Sequence, residues 1–272
     1  MLTGADAMAG LPALELAAAM TWAFQFLFSM LRIGAFLIAS PLFGARFIPL
    51  PVRIVAAAAL TLPALSLYDP PGPDAFRSLA LVPAALTEIA IGAIAGLLLT
   101  VVFGAATLAG DRIANTAGLG FASQVDPANG LTMPVVSQMF SLFLLAVFVS
   151  QDGHLTAIRL VLESYAVLPP GQPADLARGA AHGLEAVGLM FVAGAQLMMP
   201  AVTVLLLVNM VVGVVTRSAP QLNIFSVGFP MTILAGVALL WWGAPTMGVA
   251  LSALAEAALM RLSDGLQGLA DG

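Results

Sequence analysis

Residues 110–130 read GDRIANTAGLGFASQVDPANG, a polar and glycine-rich interruption between two long apolar runs. The stretch carries Asp111, Arg112, Asn115, Gln124, Asp126 and Asn129 with four glycines and one proline. It is too polar to lie unpaired in lipid. It is also too rich in glycine and small side chains, and in Phe121, to resemble an ordinary solvated loop. Irregular backbone is tolerated at membrane depth only where protein buries it or where it lines a water-filled path. One reading is therefore a pore or gate segment held in place by the flanking helices. The other is a connecting loop outside the membrane, which is what most polar interruptions are.

The flanks decide the class. Of 272 residues, 61% are hydrophobic and 8% are charged, against about 25% charged in a soluble domain. So little charge does not cover a water-facing surface, and the composition predicts an all-α integral membrane protein. Upstream, an apolar run spans 79–109 with Glu88 its one charge. Wholly helical, it would be about 46 Å long, against a hydrocarbon core of about 30 Å. Gly92 and Gly96 in this run form a GxxxG pair, a pattern that lets a second helix approach closely. Before it come the run 13–39, with Arg32 inside it, the punctuated segment SPLFGARFIPLPVR at 40–53, and a short run 54–67 holding Pro63. DPPGPD at 69–74 reads as a turn.

Downstream, the run 131–150 is followed by QDGH at 151–154 and by a polar loop ending in LPPGQPAD at 168–175. A fifth run, 184–216, is again overlong at about 50 Å. Pro200 interrupts it, freeing the carbonyl of Gln196 and predicting a kink. Gln196 and Asn209 in this run are expected to face other helices rather than lipid. A sixth run, 224–242, ends on Trp241–Trp242, a candidate interfacial anchor. Residues 244–272 carry a weaker amphipathic pattern, and residues 1–12 read as a loose end. Met198, Met199 and Met210 read as core gap-fillers.

Charge sets further bounds. All nine basic residues are arginine, the formal charge is −5, and no basic patch stands out, so nucleic acid is not expected as a partner. Counted on alternating sides of the six runs, the arginines tie, and the positive-inside rule gives no orientation. Cysteine is absent, which removes disulfides and thiolate metal sites. The two histidines, His154 and His182, have no second ligand at helical spacing, so no metal is expected. No nucleotide-binding or nucleophile motif is present, and neither enzymatic activity nor a cofactor is expected. Asp152 and His154 read as a polar turn after a helix. Arg32 and Glu88, the ionisable residues deepest in apolar runs, are functional candidates by default because a charge in hydrocarbon is costly. They admit two readings: a proton or ion relay, or an ion pair that fixes helix packing.

Several motifs in order resemble one family. They are GLGFASQVDPANG at 118–130, PVVSQMFSLFLLAVF at 134–148, DGH at 152–154, Leu168–Pro169 and RSAPQLNIFSVGFP at 217–230. Arg32 with PLFG at 41–44 and IPLPVR at 48–53 fits the same pattern. Together, over roughly 15–243, they resemble the FliR/SctT family of type III export-gate subunits, and SVGFP at 226–230 leans to the flagellar branch over the injectisome one.

The resemblance implies a non-enzymatic subunit of the flagellar type III export gate, in the bacterial inner membrane at the flagellar basal body. FliP, FliQ and FlhB would be its partners, and unfolded flagellar proteins its cargo. It implies kinked helices in hairpins that pack into a multi-subunit helical assembly. The chain would be one integral membrane domain over 1–272, with a FliP-like half at about 13–178 and a FliQ-like hairpin and tail at about 179–262. It further implies that Gly118, Leu119, Gly120, Phe121, Ala122 and Ser123 plug the closed channel. Two other classes stay open: a small-solute secondary transporter, for which internal repeats would be expected, and an assembly scaffold without cargo contact.

Overall fold

The computed structural model describes residues 11–68, 80–119, 135–219 and 227–270. Among these residues it is all helix and turn. The helices are α1 (Leu11–Ala39), α2 (Leu50–Ala64), α3 (Leu81–Thr116), α4 (Val135–Ser150), α5 (Gly153–Val167), α6 (Leu176–Ser218) and α7 (Phe229–Ala270). α1, α3, α6 and α7 contain windows long and apolar enough to cross a membrane, and the broken pair α4–α5 makes a fifth if taken as one span. The chain is an all-α membrane protein. At 36, 43 and 42 residues, α3, α6 and α7 are about 54, 64 and 63 Å long, each well beyond the hydrocarbon core. α2, at 15 residues, falls short of it.

Three boundaries and one packing expectation differ from the sequence reading. The first seven residues of the 110–130 stretch belong to α3, because Asp111, Arg112 and Asn115 fall at i, i+1 and i+4 while Ile113, Ala114 and Ala117 are buried. The polar segment after His154 is not a loop but α5. Its buried residues Ala157, Val161, Ser164, Tyr165 and Leu168 follow helical spacing, a stripe that Arg159 and Glu163 on the outer side mask. The tail is the second half of α7, where Leu254, Ala255, Ala258, Leu262, Leu266 and Leu269 form one buried face. Met199 and Met210 are 61% and 69% exposed on α6, so they fill no core of this chain.

The chain forms two compact units. The first comprises residues 1–99, 155–183 and 261–272. Within it α3 lies on α1 with almost no gap. A Cβ on Gly92 would fall on the carbonyl oxygen of Arg32, and one on Gly96 would lie 2.6 Å from Ala39 Cβ. The GxxxG pair thus marks a real contact. The start of α6 pairs with the end of α7: Asp175 N–H donates to Leu269 O at 3.0 Å, and Gly268 leaves room for the His182 ring. Between α1 and α2, Arg53 Nη2 donates to the carbonyls of Ala45 (2.7 Å) and Gly44 (3.2 Å) and closes the proline-punctuated turn.

The second unit comprises residues 100–154 and 184–260. Here Gly110 brings α3 onto the start of α4, since a Cβ would sit 2.5 Å from Ser137 Cα. Thr107 and Ser141 share a hydroxyl hydrogen bond at 2.9 Å, and Phe103 meets Phe148 edge-on at 5.2 Å. Asp152 ends α4 at φ 55°, a left-handed conformation that Asp tolerates better than most residues.

Candidate functional site: a buried ion pair and a capped helix end

In the first unit the two sequence candidates meet. Arg32 of α1 and Glu88 of α3 are both fully buried. Arg32 Nε donates to Glu88 Oε2 at 2.8 Å, and Nη2 donates to Oε1 at 3.2 Å, a two-pronged pair. The remaining capacity is filled from the stretch after α4. Nη1 donates to Ser164 Oγ at 3.0 Å and Nη2 to the Leu168 carbonyl at 2.9 Å. Glu88 Oε1 also accepts the N–H of Gly171 at 3.2 Å. The guanidinium lies 4.4 Å from the Tyr165 ring centroid, and Tyr165 Oη donates to Ser29 O at 2.5 Å. Tyr68 stacks on Tyr165 at 5.6 Å and hydrogen-bonds Ser29 Oγ. Burial pushes the Tyr68 hydroxyl above the ordinary phenol range.

This cluster ties α1, α3, α5 and the 168–171 turn together. Among the described residues every partner of the pair is a backbone group, a hydroxyl or an aromatic face, and no second carboxylate takes part. Its chemistry is that of a packing node: two charges kept out of lipid by each other and by fixed dipoles. The sequence pointed to Arg32 and Glu88 but not to Ser164, Tyr165 or the backbone at Leu168 and Gly171. The i, i+4, i+7 and i+8 spacing of Ala157, Val161, Ser164 and Tyr165 was the available signal.

In the second unit the 110–130 stretch begins as a helix end. Gly118 N–H donates to Asn115 O at 3.1 Å and Leu119 N–H to Ala114 O at 2.9 Å. With Gly118 at φ +84°, this is a Schellman cap closing α3. A further terminal carbonyl, that of Thr116, accepts a hydrogen bond from Asn209 Nδ2 of α6 at 3.0 Å. Asn209 thus faces a helix, as expected, whereas Gln196 and Pro200 are exposed on α6. Pro200 lies inside an α6 that runs unbroken from Leu176 to Ser218. Of the six candidate plug residues, Gly118 and Leu119 belong to the cap. Gly120, Phe121, Ala122 and Ser123 lie outside the described residues, as do the turns at 69–74 and 126–130.

Gly118→Ala is expected to lower stability by about 1–2 kcal/mol, the cost of a Cβ in the left-handed region; that Cβ would also sit 3.1 Å from the Phe229 ring. Gly118→Asn, which tolerates that conformation, should lose less. Thermal unfolding of the purified complex reads both, and equal losses would show that the ring contact, not φ, governs the site.

The sequence profile of the bacterial export proteins, family 1, matches residues 23–258. The chain belongs to this family. Both sites just described fall inside the match. Among relatives of this export family, the flagellar biosynthetic protein FliR of Pectobacterium carotovorum is 34% identical over 216 residues, 79% of this chain and 82% of that protein. FliR of Escherichia coli K12 is 33% identical, covering 81% of this chain and 84% of the relative. FliR of Bacillus subtilis 168 is 30% identical, covering 76% and 81%. Residues 259–272, the last part of α7, lie beyond the family match.

Proposed function

We propose that this chain is the FliR subunit of a flagellar type III export gate, a non-enzymatic part of a protein-conducting channel in the bacterial inner membrane at the basal body. The observation that carries the reading is the family match over 23–258, joined to relatives that are flagellar biosynthetic proteins. FliP, FliQ and FlhB are its proposed partners, and unfolded flagellar subunits its cargo. The helices support a role within an assembly. α6 and α7 are far longer than a bilayer is thick, and the most apolar window of each buries little surface within this chain, so those windows require lipid or other subunits. Residues 13–178 are proposed as the FliP-like half and 179–262 as the FliQ-like hairpin.

Residues 118–123 are proposed to plug the closed channel. That role rests on the GLGFAS motif, whose first two residues, Gly118 and Leu119, form the Schellman cap that ends α3. Deleting the chain should abolish secretion of hook and filament proteins and motility, and plasmid-borne chain should restore both. Undiminished secretion in the deletion strain would overturn the proposal. Loss of uptake of a small solute with secretion intact would favour a transporter instead.

A further inference from the structure

The outward face of α6 carries polar groups that this chain leaves unsatisfied. In the second unit Leu197, Ala201, Leu205 and Val212 form the buried side of the helix. Gln196, Pro200 and Thr203, at i, i+4 and i+7, fall on the opposite side, and all three are exposed. Among the described residues neither the Gln196 carboxamide nor the Thr203 hydroxyl has a hydrogen-bond partner. Thr61, Thr116 and Thr216, also in helices, each donate to the carbonyl four residues back; Thr203 does not. Pro200 adds a third unpaired group, because it has no N–H to give to the Gln196 carbonyl. The site lies deep in an uncharged stretch. Gln196 is about 16 Å of helix from Glu185 and about 31 Å from Arg217, the nearest charges along the chain.

We propose that Gln196, Pro200 and Thr203 form a docking site for a membrane helix of a neighbouring subunit that carries Ser, Thr, Asn or Gln side chains. The proposal rests on the reading of this chain as one subunit of an export gate. Lipid does not fit the site: acyl chains offer neither donor nor acceptor, and an amide and a carbonyl left unpaired against them are costly. Bulk water would satisfy the polar groups but not their surroundings, since Val192, Met199 and Leu207 on the same face are 56%, 61% and 59% exposed. A helix that is apolar apart from a few polar side chains satisfies both. Its hydroxyl or amide donates to the Gln196 carbonyl, and its side-chain oxygens accept from the Gln196 carboxamide and the Thr203 hydroxyl, as polar side chains do between membrane helices. Gln196 and Thr203 are two turns apart, about 10 Å along the axis, so a helix running alongside presents its polar side chains at the same spacing.

The test co-expresses the full chain with FliP, FliQ and FlhB, each bearing a different tag. A photo-crosslinking amino acid in place of Met199, beside the site, should form an adduct with one of the tagged subunits. In a separate chain, Gln196→Leu with Thr203→Val should lower the recovery of that subunit about tenfold, the loss expected for two interhelical polar contacts. The amount of chain in the membrane should not change, because neither side chain touches the interior of this chain. A lipid-facing site predicts the opposite sign, since apolar side chains would suit it better. Recovery that is unchanged or raised would overturn the proposal. So would an adduct only with lipid, an adduct only with a second copy of this chain, or no adduct. If the wild-type chain recovers none of the three subunits, the export-gate reading fails and the docking site with it. If wild type and double variant recover them equally, only the docking site fails. Should the double variant not accumulate, the adduct at position 199 decides alone.

Discussion

Arg32→Ala, or Glu88→Ala, should remove about 3–5 kcal/mol of stability, because each leaves the other charge buried without its partner. The geometry makes the loss large. The surviving arginine would keep the Ser164 hydroxyl, the Leu168 carbonyl and the Tyr165 ring face; the surviving glutamate would keep, among the described residues, the Gly171 N–H. Replacing both with leucine should cost less than the sum of the two alanine variants, by about 0.5–3 kcal/mol of coupling. It should still cost something, because Leu168 C=O and Gly171 N–H lose their partners, at about 1–3 kcal/mol for each group left unpaired. Glu88→Gln separates packing from proton transfer. A packing node predicts that assembled complex and secretion fall together. A relay predicts normal assembly with secretion lost. Quantifying the complex recovered from membranes beside the secreted protein decides between them.

The second large effect is expected at the α1–α3 contact. Gly92→Leu should prevent docking, since even a Cβ there meets the Arg32 carbonyl and the helices would have to separate. Gly96→Ala should cost about 1–3 kcal/mol as overpacking against Ala39. Gly34→Ala, with nothing within 4 Å of the added Cβ, is the control; it should be neutral or stabilising by up to about 1 kcal/mol, the helix propensity difference. Because Gly92 sits against Arg32 itself, its substitution should also disturb the ion pair. Gly92→Leu and Glu88→Ala should therefore combine to less than their sum. Protease sensitivity of the chain in membranes reads the series, and a tolerated Gly92→Leu would mean that α1 and α3 do not pack as described.

The parts of the fold that apolar runs specify were legible in the sequence. α1 begins and ends close to its hydrophobic boundaries, as do the start of α3 and the end of α4, and the overlength of α3 and α6 was visible as residue count. The class of protein followed from 8% charge. What escaped was helix carrying polar residues outside a long apolar run. α5 holds Arg159, Glu163 and Ser164, and its stripe of Ala157, Val161 and Tyr165 is narrow. The first seven residues of the 110–130 stretch looked irregular because Asp111, Arg112 and Asn115 dominate it, although Arg112 and Asn115 are exposed while Ile113 and Ala114 are buried. The tail of α7 alternates small and large side chains, which mutes its amphipathic signal.

At the ion pair, two residues of opposite charge in separate apolar runs were enough to nominate both. The backbone partners at Leu168 and Gly171 were not readable, because a carbonyl or an N–H is offered by any residue, and only the three-dimensional path of the 168–171 turn selects these. The GxxxG pair was legible as a pattern but not as a contact, since 26 glycines make such pairs common. Its meaning came from α1 lying on it.

The central claim is that this chain gates a protein-conducting channel. It is tested most directly by ion conductance across membranes of cells co-expressing the chain with FliP and FliQ, comparing wild type with a deletion of residues 120–123. That deletion keeps Gly118 and Leu119, and with them the cap on α3, so the helix frame is preserved; purification confirms that the complex still forms. The account predicts an intact complex that conducts ions only when the four residues are missing. An intact complex with unchanged conductance would contradict it.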